Sequence, residues 1–319
     1  MLGGHPMRRF LGQILPTLTL LLASSPALAQ TAPVSGSPSA NIARLISEFA
    51  TAEYFWQQTD IARELIATGD RSVIAAIQSY LETNDRRRRC NGAFVLAGLG
   101  VERGKVILVS ELEDTELGSR ILEDGRSTGP GSIASRGISQ VRSDRYFAAL
   151  LLGELRERDA VPALIAATRD KSINYRAAIS LGEIGDTRAI PALREMAAAF
   201  PAERVFAGYG LAALGAPDGF DTLEGVALSD QHWVQRRHAV ELLGKSMDRR
   251  AVPILLRALR DEHPNVRVST VRSLAEVGDP AALPALRVAL ADRVATEVNA
   301  PTTVAAEAEK AIAAIESKR

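Results

Sequence analysis

The chain reads as an all-α protein, a solenoid of about seven helical hairpins with a capping helix at each end. Three observations predict it. A two-helix unit recurs at a nearly constant period, as in solenoid arrays, and the turns inside the units share one chemistry. Aromatics make up only 5% of a composition that is 46% hydrophobic, so the core must be built from Ala, Leu, Ile and Val. The clearest unit is NYRAAISLGEIGDTRAIPAL, Asn174 to Leu193. Ala177, Ala178, Leu181 and Ile184 fall at helical spacing. Gly185 is suited to end that helix and Asp186 to cap the next. Pro191 then sits in an opening turn, where its missing N–H costs little.

Aligned on Pro191, the series runs Ala75, Val106, Pro162, Pro191, Asp221, Pro253 and Pro284. Its steps are nearly equal except the one from Val106 to Pro162, which is close to double. The turns upstream agree: TGDRSVI, LGVERGK, LRERDAV, LGAPDGF and VGDPAAL. Units of this period cannot bury an apolar face alone, so neighbours must stack into one array. A second ladder supports the register. Most first helices carry a Leu-Gly or Leu-Ala pair near their end, and eight positions before its small member stand Arg89, Arg145, Arg204, Arg236 and Arg267. Asn174 breaks the series, with Arg176 nearby. These arginines are expected to bond turn carboxylates such as Asp170 and Asp261 and so tie repeats together. The dense basic run Arg86 to Arg89 is read as a solvated helix start.

The ends follow from local composition. Met7-Arg8-Arg9 and the short apolar stretch Phe10 to Ala23 precede Ala27-Leu28-Ala29, a small-x-small cleavage pattern. Residues 1–29 are therefore expected to be a signal peptide cleaved after Ala29, giving a periplasmic or secreted protein with no stable membrane span. Residues 30–40, rich in Ser, Pro, Ala and Gly, read as a flexible spacer. Asn41 is placed to cap a first helix running through Phe49 toward Trp56, and Thr303 to Ile315 supply a last one. The solenoid then spans 41–319. Its one near-double gap holds an insertion within 113–143, where Gly118, Gly125, Gly129, Gly131, Gly137 and Pro130 argue against a long regular helix.

Function classes narrow by what the sequence carries. With 38 basic and 38 acidic side chains the chain lacks the basic excess of a dedicated nucleic-acid binder. Its one cysteine, Cys90, excludes an intrachain disulfide or a multi-cysteine zinc site and lies among apolar helix positions. His232 and His263 occupy equivalent positions in adjacent repeats, roughly 10 Å apart, too far to share one zinc ion. GRSTGPGS lacks the spacing and lysine of a phosphate loop, and no GxSxG, HExxH or CxxC is present. No catalytic residue, metal or cofactor is expected.

The units SDRYFAALLLGELRERDAVPALIAATRD, NYRAAISLGEIGDTRAIPAL and NVRVSTVRSLAEVGDPAALPALRVALAD resemble HEAT repeats of the short bacterial kind, the type found in phycobilin lyases. The resemblance covers roughly Ile61 to Lys318. It implies a right-handed α-solenoid whose second helices line a concave surface that holds another molecule. On that basis Arg169, Arg194, Arg257, Arg260 and Arg287 on the second helices, with Trp233 at a turn, are the expected contacts for a protein partner. Trp233 also reads as a staple between two repeats. The expected role is an exported interaction or scaffolding module. The alternative is an enzyme-like role akin to the lyases, presenting a prosthetic group. None of the histidines is followed by Glu, so the His-Glu pairs of HEAT-repeat iron hydroxylases are missing.

Overall fold

The computed structural model describes residues 38–115, 133–296 and 302–318. The signal peptide, nearly all of the spacer and most of the insertion lie outside the described residues. Among the described residues sixteen α-helices follow one another, and there is no strand, only an isolated bridge from Ala295 to Thr303. A capping helix α1 (Pro38–Thr51) precedes seven hairpins: α2 (Phe55–Thr68) with α3 (Val73–Ile77), α4 (Arg86–Gly98) with α5 (Glu102–Glu113), α6 (Ile133–Glu154) with α7 (Val161–Ala167), α8 (Asn174–Ile184) with α9 (Ile190–Ala199), α10 (Arg204–Ala213) with α11 (Pro217–Ser229), α12 (Trp233–Lys245) with α13 (Ala251–Ala258), and α14 (Pro264–Val277) with α15 (Leu283–Ala289). The closing helix α16 is Val304–Glu316.

The turns work as their residues dictate. Gly185 takes φ 79° and ends α8, and the Asp186 carboxylate accepts the N–H of Arg188 at 3.0 Å. Asp248 and Asp279 accept equivalent bonds in later repeats, from Arg250 and Ala281. The arginine ladder ties successive elements. Arg236 reaches Asp261 at 2.7 and 2.9 Å and the Asp230 carbonyl at 2.9 Å; Arg267 repeats this on Asp292 and Asp261, and Arg145 on Asp170 and the Leu112 carbonyl.

Three local expectations are corrected. Helix α1 starts at Pro38, where proline is at ease, and Asn41 lies inside it, accepting from Arg44 at 2.9 Å. It stops at Thr51, so Trp56 belongs to α2. Helix α6 starts at Ile133, so the last part of the predicted insertion is helical through Gly137. One internal glycine costs about 1 kcal/mol, which a helix continuous with a packed repeat absorbs. Finally, Arg86 and Arg89 are not solvated. Arg86 is 14% exposed and meets Glu111 at 2.8 Å, Asp114 at 2.9 Å and Asp144 at 2.8 Å, while Arg89 donates to Glu111 at 2.6 Å. Arg87 and Arg88 remain half-exposed beside Asp85. The Arg86 guanidinium thus joins Asp114, where the chain leaves α5, to Asp144 inside α6.

The core divides at α10. Ala207 and Leu211 join an amino-terminal cluster with Phe49, Phe94 and Leu152; Val205, Tyr209 and Ala212 join a carboxy-terminal one with Leu243, Leu255 and Val271. Gly182 and Gly210 let α8 and α10 approach backbone to backbone: a Cβ on Gly210 would sit 2.7 Å from the Ala178 carbonyl oxygen.

Candidate site on the inner face

First helices pack directly on one another at α2–α4, α6–α8, α8–α10 and α12–α14, whereas α10 meets α12, and the second helices meet each other, only sparingly. Two ion pairs fix the sense of curvature. Lys245 of α12 reaches over α10 to Glu183 of α8 at 2.8 Å. Arg63 of α2 reaches over α4 to Glu154 of α6, with Nε at 2.6 Å and Nη2 at 2.9 Å. Helices two places apart in a straight row are separated by roughly 16–20 Å. Side chains bridge that span only where the row curves toward them. The inner face is therefore the row of first helices, and the expectation that second helices line it is corrected. The physical reason is that the small residues at the helix contacts (Gly153, Gly182, Gly210 and Gly244) belong to the first helices and draw that row together.

A groove of about 740 Å³ runs over the carboxy-terminal ends of α6, α8, α10 and α12. Its floor is polar and already paired. Arg176 donates to Ser180 at 3.1 Å and to Glu183, whose other oxygen accepts from Lys245. Ser180 donates to the Ala149 carbonyl at 2.6 Å. The Lys245 ammonium lies 5.4 Å from the Tyr209 ring centroid, and the Arg250 guanidinium covers Phe220 at 4.4 Å. Burial, with Glu183 nearby, pushes the Tyr209 phenol up to about 12.

A line of rings starts at the buried Phe55 of α2 and continues, half-buried, along α6, α8, α10 and α12. Phe55 stacks on Phe147 at 3.7 Å; Tyr146, Tyr175, Phe206 and His238 follow at 5.5 to 5.8 Å. Burial, with Arg237 alongside, pulls His238 down to about 4, so its imidazole is neutral at pH 7. The Cys90 thiol is fully buried and burial pushes it well above its usual value. Among the described residues no group of three or more His, Cys, Asp or Glu is arranged to hold a metal ion, and no helix is long and apolar enough to cross a membrane.

The arginines singled out from sequence stand on the second-helix row and are mostly engaged with neighbours. Arg169 meets Glu195 at 3.1 Å, Arg194 meets Asp218 at 2.8 Å, Arg287 meets Glu316 at 2.9 Å, and Arg257 pairs with Glu224. Arg260 is exposed and makes no ion pair among the described residues. Trp233 stacks on His263 of the next repeat, centroids 4.0 Å apart and planes 7° from parallel, and His263 also caps α14 by accepting the Asn265 N–H at 3.2 Å. The groove residues Tyr209, Glu183 and Lys245 went unnoticed in the sequence. Part of the signal was present: Glu183 and Lys245, like Glu154, directly follow the Gly of a Leu-Gly pair, whereas Tyr209 stands three before Ala212.

Comparison with known proteins agrees with this architecture. A family model described as HEAT repeats matches residues 140–212 and 220–307, half of the chain. Among solved structures, the CpcE–CpcF complex of phycocyanin lyase from Nostoc sp. PCC7120 is similar at 20% identity over 76% of this chain and 94% of that one, with a TM-score of 0.43. Human deoxyhypusine hydroxylase is similar at 17% identity over 88% and 97%, with a TM-score of 0.34. Both are likenesses of fold. A search of curated proteins returned no match. By its repeats, and by the family model that matches half its length, the chain belongs to the HEAT-repeat family.

Proposed function

We propose that the protein is an exported binding module that holds a protein partner against the inner face of its solenoid, with no chemical step. The observation that carries this is the groove across α6, α8, α10 and α12, whose volume of about 740 Å³ falls in the range of binding clefts. Solenoid curvature generates such extended concave surfaces from repeats that touch only their neighbours. The amino-terminal pattern ending at Ala29 supports export, with Gln30 as the first mature residue.

Affinity capture from envelope extract, read by mass spectrometry, tests the reading. A stoichiometric partner is expected with the wild-type protein. Lys245→Glu, which places a carboxylate against Glu183 in the groove floor, should abolish capture. Arg257→Glu with Arg287→Glu, on the second-helix row, should leave it intact. Loss with the second pair and retention with the first would move the site to the arginine row. Export is tested separately: amino-terminal sequencing of the protein from the periplasmic fraction should begin at Gln30.

A further inference from the structure

All seven hairpins turn at one equivalent residue, and all seven residues take left-handed φ. In six hairpins it is the third after the small member of the Leu-Gly or Leu-Ala pair; in the first, Leu65-Ile66 stands in that place. Five of the seven are glycines, Gly69, Gly100, Gly185, Gly215 and Gly278, with φ between 63° and 79°. The other two are Arg156 at 52° and Met247 at 51°. An L side chain is strained in this region and glycine is not. Both exceptions line the inner groove, Arg156 at its α6 end and Met247 at its α12 end. Strain held where glycine would relieve it marks a site at which the side chain itself is used.

The charges in the groove say what is used. Its lining carboxylates already have cations: Glu154 has Arg63, Glu183 has Arg176 and Lys245, and Asp248 has Arg250 at 2.7 Å. Arg156 is exposed and makes no ion pair among the described residues. At the other end Met247 is 72% exposed, near the half-buried Phe220. The groove crosses four first helices on the inner side of the curve, where Lys245 and Glu183, two helices apart, meet at 2.8 Å, so its ends lie closer than three straight interhelix spacings, roughly 24–30 Å. An extended chain covers that upper limit with about eight residues.

Resting on the binding-module reading above, we infer that the groove takes an extended peptide segment of the partner. The segment carries a carboxylate side chain against Arg156 and, no more than about seven residues away, an apolar side chain against Met247 and Phe220.

Selection of random phage-displayed dodecapeptides on the purified protein tests this. The enriched sequences should carry Asp or Glu no more than about seven residues from an aliphatic or aromatic residue. A synthetic peptide of that consensus should bind at least 10-fold more weakly to Arg156→Gly and about 5-fold more weakly to Met247→Gly. The same variants should melt at the wild-type temperature or about 2 °C higher, because the strain is relieved. Enrichment of neutral or basic peptides, or equal binding by Arg156→Gly, would overturn the peptide class and leave the binding-module reading standing. A selection that yields no peptide while the envelope capture succeeds would likewise sink the inference alone. A fall in melting temperature of several degrees in both variants would overturn the strain argument.

Discussion

Replacing Arg86 by Ala removes a guanidinium that meets three carboxylates at 2.8, 2.9 and 2.8 Å. Two of them, Glu111 and Asp144, are buried, with side-chain exposures of 6% and 0%. Breaking a buried pair from one side costs about 3–5 kcal/mol, chiefly because charge is left in a poorly solvated place. Glu111 keeps Arg89, so the lower end applies, about 3 kcal/mol, or a fall in melting temperature of roughly 6–12 °C. Arg87, half-exposed and 4.0 Å from Asp85, provides the control: its Ala variant should change stability by less than about 0.5 kcal/mol. Thermal unfolding followed by far-ultraviolet circular dichroism, with urea midpoints, reads both. Arg86→Ala combined with Asp144→Asn should recover part of the loss, since the buried charge is then removed with its partner. Equal and small effects for Arg86→Ala and Arg87→Ala would refute the reasoning and restore the whole basic run to solvent.

Three further outcomes are expected. Gly210→Ala places a Cβ 2.7 Å from the Ala178 carbonyl oxygen and 3.0 Å from Leu193, and should destabilise by about 1–3 kcal/mol in the same melts. His238, held to about 4 against 6.5 when unfolded, binds a proton in the unfolded chain first, so stability should fall as pH drops from 6.5 to 4. The shift sets an upper bound of about 3 kcal/mol, and His238→Phe should flatten stability across that window. Cys90 should resist a thiol reagent in native buffer and react only as the chain unfolds, at a rate that follows denaturant concentration.

Much of the architecture was legible because its causes are local. The Gly185-Asp186 turn, the proline in the opening turn of a second helix and the Leu-Gly pair each act over a short span, and their regular recurrence sets the register of seven hairpins. The ladder from Arg145 to Arg267 was readable for the same reason: its carboxylates lie at a fixed distance along the chain, as in Arg236 with Asp261 and Arg267 with Asp292. Arg86 misled because its three partners come from two separate places. Glu111 and Asp114 end α5, and Asp144 follows only beyond the insertion in sequence. A run of four arginines looks solvated until those carboxylates are folded onto it.

The sequence by itself determined the repeat, the number of hairpins and the residues that start and stop most of the helices, because those depend on backbone conformation and periodic burial. Which row of helices faces inward was decided by tertiary structure alone. Curvature depends on how closely successive hairpins approach, and that distance is set by contacts such as Gly182 against Gly210, whose partners belong to neighbouring repeats. Once the first helices form the inner row, Lys245 can meet Glu183 across α10, and the strained turns at Arg156 and Met247 come to border one groove. Neither juxtaposition is written in any single repeat.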